Sequence, residues 1–193
     1  MRVSGSDPYP WPYEGGLTGS RLALVLSGWQ HHWAANSVGV SSVESHLAAA
    51  SDAVASSGGW IVDLRHGSLT GASRFLPRCG SPSWAAYWTR PTTLTVDASG
   101  FDGCFGSSLE LELRKAGRDQ IVIGGFAAEL TVDSTMRSLN DRGFECLVLS
   151  DGCAPVDPLL LERALHSTTM SGGIFGAVGS TRALLDALEE LRS

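Results

Sequence analysis

The chain has 193 residues, 43% hydrophobic and 18% charged, with a net charge of −6. These are globular values, and the length suits one core in one domain, residues 1–193. The acidic balance, with no Lys/Arg cluster, excludes nucleic acid and anionic membrane as expected partners, and no apolar run reaches the roughly 18 residues of a membrane span.

Residues 1–20 hold Pro, Tyr, Trp and Gly without a period, which predicts an arm with aromatic anchors. The opening MRVSGSDPYPWPYEGG has no apolar signal core, so a cytoplasmic protein is expected. Cys79, Cys104, Cys146 and Cys153 form no CxxC pair and are expected as free thiols. Arg21 to Ser27 predicts the first strand, followed by Gly28-Trp29-Gln30-His31-His32-Trp33. Ser41 to Ser57 predicts a helix with Val43, Leu47, Ala50 and Val54 on one face and Ser41 or Ser42 as cap. Trp60 to Leu64 is the second strand. Residues 65–91 have no period, and so long a loop in a compact domain is usually functional or an oligomer contact.

Leu94 to Val96 predicts a short strand, and Ser108 to Ala116 a helix. Ile121 to Ile123 is a β-branched run closed by a turn at Gly124-Gly125. Thr131 to Arg142 reads as a helix capped by Thr131, and Phe144 to Leu149 as the strand after it. Pro158 to His166 is a helix, Gly172 to Val178 a last strand, and Thr181 to Leu191 a C-terminal amphipathic helix. Strands and helices alternate throughout. The fold class is α/β, three layers with a mostly parallel sheet. Open sheets of this kind hold ligands at strand carboxyl ends, here between Gly124 and Thr131.

The segment GGFAAELTVDSTMRSLNDRGFECLVLSDGCA resembles the active-site region of the isochorismatase-like cysteine hydrolases. The opening PYPWPYEGG, the NDRGFEC run and GGIFGAV are similar to the biuret hydrolase and ureidoacrylate amidohydrolase branch. The resemblance covers essentially the whole chain and is weakest in residues 65–91. It implies a triad of a Cys nucleophile, an Asp general base and a Lys. The Cys position is Thr131, the Asp position Gly28 and the Lys position Ala98, so all three residues are replaced. Gln30, Phe126, Ala127, Ala128 and Thr131 fall in the implied pocket and oxyanion region. The resemblance also implies a non-proline cis peptide at Phe126–Ala127 or Ala127–Ala128.

A Thr hydroxyl needs a nearby base to act as a nucleophile, glycine offers none, and alanine offers no cation. The expected function is therefore a pseudoenzyme. It would act as a structural, regulatory or ligand-binding subunit, as a homo-oligomer or a hetero-oligomer with an active paralogue. The alternative is a hydrolase of small amides or ureas with relocated chemistry, using Cys104, Cys153 or a His-bound metal. Cys146 reads as core. His31, His32, Asp63 and His66 follow two strand ends, but the Asp-x-His spacing of the metal-binding relatives is missing, so no metal and no cofactor is expected. The glycine pairs fit no phosphate loop. Trp29, Trp33, Trp84 and Trp88 are expected to pack the arm, the long loop or a subunit contact.

Overall fold

The computed structural model describes residues 1–71, 73 and 75–192. Residues 72 and 74 of the expected 65–91 loop, and residue 193, lie outside the described residues. The elements in chain order are β1 (Leu22–Ser27), α1 (His31–Ala34), α2 (Val40–Ser56), β2 (Trp60–His66), β3 (Leu94–Ala98) and α3 (Leu109–Lys115), then β4 (Gln120–Phe126), α4 (Asp133–Asp141), β5 (Glu145–Ala154), α5 (Pro158–Gly173), β6 (Ala177–Gly179) and α6 (Thr181–Arg192). A π-helical turn, Ala128–Val132, precedes α4.

The six strands form one sheet in the order β3-β2-β1-β4-β5-β6, and every pairing is parallel. Helices cover both faces, giving the three-layer α/β/α fold. Strand alternation divides the core in two. Leu22, Leu24 and Leu26 of β1 pack with Val43, Leu47, Ala50 and Val54 of α2 and with Leu184 and Leu188 of α6. Ala23 and Val25 pack on the other face with Leu109 and Leu113 of α3 and Met136 and Leu139 of α4. No helix among the described residues is long and apolar enough to cross a membrane.

Several element ends differ from the sequence reading. β4 does not turn at Gly124-Gly125 but runs on to Phe126, with a register shift between Ile123 and Gly125. A Cβ on Gly124 would lie 2.6 Å from the Gly152 carbonyl oxygen, and one on Gly125 1.9 Å from that of Ser27. These glycines permit close strand approach rather than a turn. Thr131 does not cap a helix; it sits inside the π-helical turn, and α4 starts at Asp133. α2 is entered through Gly39, left-handed at φ 79°, so neither Ser41 nor Ser42 is its cap. α5 continues beyond His166, and Ser171, Gly172 and Gly173 take positive φ. That conformation is foreign to a strand, so the expected strand Gly172–Val178 shrinks to Ala177–Gly179.

The arm folds against the amino-terminal edge of the sheet. Val3 bridges Trp11, Asp7 bridges Val178, and Trp11 and Leu17 are buried. The Gln120 side chain accepts from Thr18 N–H at 3.0 Å and donates to the Gly16 carbonyl at 2.8 Å. Asp7-Pro8 and Trp11-Pro12 are cis.

Candidate functional site

The strand order reverses between β1 and β4, and their carboxyl ends form the crevice where such sheets bind ligands. Gly28 follows β1 with φ 67°, and its N–H donates to the Leu64 carbonyl at 2.9 Å. A Cβ there would lie 2.9 Å from Thr131 Oγ1, 3.2 Å from the Phe126 carbonyl oxygen and 3.3 Å from Trp33 Cδ1. The fold thus brings Gly28 and Thr131 together. Thr131 is fully buried, and its hydroxyl donates to the Phe126 carbonyl at 2.7 Å. Ala98 ends β3, is buried and pairs in register with His66, two strands from β1.

The oxyanion region differs from expectation. The cis bonds among the described residues both precede proline, and neither Phe126–Ala127 nor Ala127–Ala128 is among them. The chain turns instead at Ala127, left-handed at φ 54°, ψ 60°. Leu130 and Thr131 N–H both donate to the Ala127 carbonyl, at 2.8 and 3.0 Å. These two donors therefore face the protein's own backbone. Gln30 is fully buried; it accepts from His66 N–H at 2.7 Å and donates to the His66 and Trp84 carbonyls. Its amide staples the end of β2 to the long loop.

His66 is part of a network the sequence did not reveal. Its Nδ1 lies 2.9 Å from the Gly100 carbonyl oxygen and its Nε2 3.0 Å from Ser27 Oγ. A carbonyl only accepts, so Nδ1 carries the proton and the Ser27 hydroxyl donates to Nε2. Burial lowers the imidazole to about 4, with the Gly100 bond and Asp102 acting against it, so His66 is neutral at pH 7. Both side chains are fully buried, and the pair braces three loop ends. Asp63 and His66 lie three residues apart on β2, an odd offset that puts them on opposite faces. His31 is exposed, and His32 Nε2 meets the Phe75 carbonyl oxygen at 3.2 Å. No group of three His, Cys, Asp or Glu among the described residues is placed to hold a metal ion.

All four cysteines are free. Burial pushes the Cys104 thiol up to about 11, and Cys104 N–H donates to Asp102 Oδ1. Asp102 Oδ2 in turn accepts from Ser138 Oγ, docking this turn on the middle of α4 rather than beside Thr131. Burial pushes Cys153 up to about 12. It pairs in register with Gly125 and borders a cleft of about 340 Å³ that also includes His46 and Asp151.

Aromatic rings fill the crevice beside Gly28. Trp29 stacks on Phe126 at 4.0 Å and meets Trp88 edge-on at 5.3 Å. Trp33 is buried, and Arg65 lies over the Trp84 ring at 4.2 Å. Above them remains a mouth of about 180 Å³ lined by His32, Trp33, Asn36, Phe75, Leu130 and Val156.

Residues 22–182 match the model of the isochorismatase domain. The chain is 27% identical over 88 residues to the uncharacterized isochorismatase family protein YddQ of Bacillus subtilis (strain 168), a match covering 42% of this chain. It spans 49% of that relative's length. Among solved structures, a cysteine hydrolase from Pseudomonas syringae pv. phaseolicola 1448A superposes with a TM-score of 0.79 at 16% identity, covering 92% of this chain and 96% of that one. The nicotinamidase of Bacillus subtilis superposes with a TM-score of 0.72 at 17% identity, covering 83% and 99%. With the domain model matching most of this chain and the sheet, helices and crevice in place, the chain belongs to the isochorismatase family.

Proposed function

We propose that this protein is a catalytically inactive member of the family, a pseudoenzyme serving as a structural, regulatory or ligand-binding subunit. The observation that carries this reading is the Thr131 hydroxyl, buried and donating to the Phe126 carbonyl at 2.7 Å, with glycine opposite it. An alcohol without a base stays protonated and is a poor nucleophile. Ala98 supplies no charge, and the Leu130 and Thr131 N–H groups already have an acceptor. The resemblance of PYPWPYEGG, NDRGFEC and GGIFGAV to the biuret hydrolase and ureidoacrylate amidohydrolase branch supports an origin in that branch. The mouth above Trp33 would take a small, partly apolar ligand. The reading includes a reducing, cytoplasmic setting for the free thiols and assembly with a second copy or with an active paralogue.

The second reading is a hydrolase of small amides or ureas with relocated residues. It draws on the cleft where Cys153 is joined by His46 and Asp151, His46 Nε2 lying 3.8 Å from Asp151 Oδ2. Against it stands the thiol at about 12, far from a thiolate at neutral pH.

Amide hydrolysis separates the two. Purified protein of known mass in solution is assayed on biuret, ureidoacrylate-like amides and nicotinamide. No turnover is expected from the wild type, from Cys104→Ala or from Cys153→Ala. Wild-type turnover that either alanine variant removes would establish the relocated enzyme and end the pseudoenzyme reading. The triple variant Gly28→Asp, Ala98→Lys, Thr131→Cys is the control for an intact pocket. The positive φ and crowding at Gly28 strain that variant, so its circular dichroism is recorded first.

A further inference from the structure

We propose that a second site, between the N-terminal arm and the amino end of β5, binds a small organic cation with an N-alkylated ammonium head. This site lies at the opposite edge of the sheet from Gly28 and Thr131 and does not depend on the pseudoenzyme reading. A cavity of about 380 Å³ is bordered there by Tyr9, Tyr13, Asn140, Glu145, Gly172 and Gly173. The Tyr9 and Tyr13 rings are 5.1 Å apart at 74°, two aromatic walls meeting at a corner. Aromatic faces attract a cation that has little hydration to lose, which an alkylated ammonium satisfies and a small metal ion does not.

The corner is backed by negative charge. Glu145 accepts from Tyr13 N–H at 3.1 Å and Glu14 N–H at 3.0 Å, which fixes its carboxylate beside the rings. Among the described residues it has no salt-bridge partner. The nearby Arg21 is held by Asp119 at 2.7 Å. Asn140 and Gly143 bring the carbonyl end of α4 to the same cavity, and the last turn of α4 carries no basic residue. Arg142, just past it, pairs with Glu110 and donates to the Ser138 carbonyl, and Arg114 donates to the Arg142 carbonyl. Burial, then Glu145, pushes the Tyr9 hydroxyl up to about 12, so Tyr9 is a neutral ring at pH 7.

Calorimetric titration of the full chain with choline, tetramethylammonium and the uncharged carbon isostere of choline tests the site. Saturable binding of both cations is expected, with the isostere at least ~5-fold weaker. Tyr13 is 62% exposed, so Tyr13→Ala leaves the melting temperature unchanged while weakening choline by ~5-fold or more. Tyr13→Phe keeps the ring and stays close to wild type. Glu145→Gln, which retains an acceptor for the arm, also weakens binding. No saturation by about 10 mM cation, equal binding of the isostere, or wild-type affinity in Tyr13→Ala would each overturn the proposal.

Discussion

Asp63 is a carboxylate placed where a charge is costly. It is 5% exposed on β2, and its Oδ1 is buried without a hydrogen-bond partner. Burial raises it to about 6; Arg65 opposes the shift and Asp97 adds to it. The folded value lies above the unfolded value of about 3.9, so the native state holds this proton more tightly than the unfolded chain does. The stability this group contributes is thus present in full below about pH 4 and lost as the pH rises through about 6. Asp63→Asn removes the charge and is expected to stabilise the protein at pH 7 by ~1–3 kcal/mol, flattening the slope between pH 4 and 6. Urea midpoints at the two ends of that window measure it; an Asn variant no more stable than wild type at pH 7 would refute the assignment. Thr131 gives the opposite case of a polar group fully matched. Thr131→Val leaves the Phe126 carbonyl without its partner and is expected to cost ~1–3 kcal/mol in urea unfolding. An unchanged midpoint would mean that the bond braces nothing.

The elements show where sequence reasoning works and where it stops. Burial of β1 on both faces follows directly from its continuous apolar run, and the α2 stripe Val43, Leu47, Ala50, Val54 from its helical period. Gly124-Gly125 misleads because glycine signals both a turn and a close approach, and only the neighbouring Ser27 and Gly152 carbonyls decide between them. Thr131 looks like a cap because its place in a π-helical turn depends on Ala127 taking a left-handed conformation. The positions beside the crevice, Gly28 and Thr131, were legible from motif order. The Ser27–His66–Gly100 chain was not, since it joins residues 34 and 39 apart with no local signature. Gly125 turns the lesson into a measurement. With φ 145° and only 1.9 Å between an added Cβ and the Ser27 oxygen, Gly125→Ala must separate β1 from β4. A loss of ~3 kcal/mol or more, or failure to fold, is expected. Gly143→Ala, also at positive φ (81°) but with no atom within 4 Å of the added Cβ, serves as the control for backbone strain alone. Equal stability of the two variants would show that the strands yield.

At the scale of the molecule, the arm is joined to the fold rather than appended to it. Trp11 is fully buried in the same core as β1, α2 and α6. Behind it, Ser6 Oγ accepts from Trp11 N–H at 2.9 Å, and the amides of Thr18, Tyr13 and Glu14 are taken by Gln120 and Glu145 at the start of β4 and β5. Gln120 is itself fully buried, so losing the arm would leave its amide unmatched. A segment joined in this way unfolds with the sheet. Trp11→Ala, 11 residues before β1 begins, is therefore expected to cost ~3–5 kcal/mol, as a core deletion does. The alternative is an arm that detaches alone. Hydrogen exchange on the wild type distinguishes them: amides of residues 3, 11 and 17, which bond to Trp11, Val3 and Met1 carbonyls, should exchange on the timescale of the central strands. Fast exchange there with slow exchange in β1 and β4 would make the arm a separate unit, and the Trp11→Ala penalty would then be small.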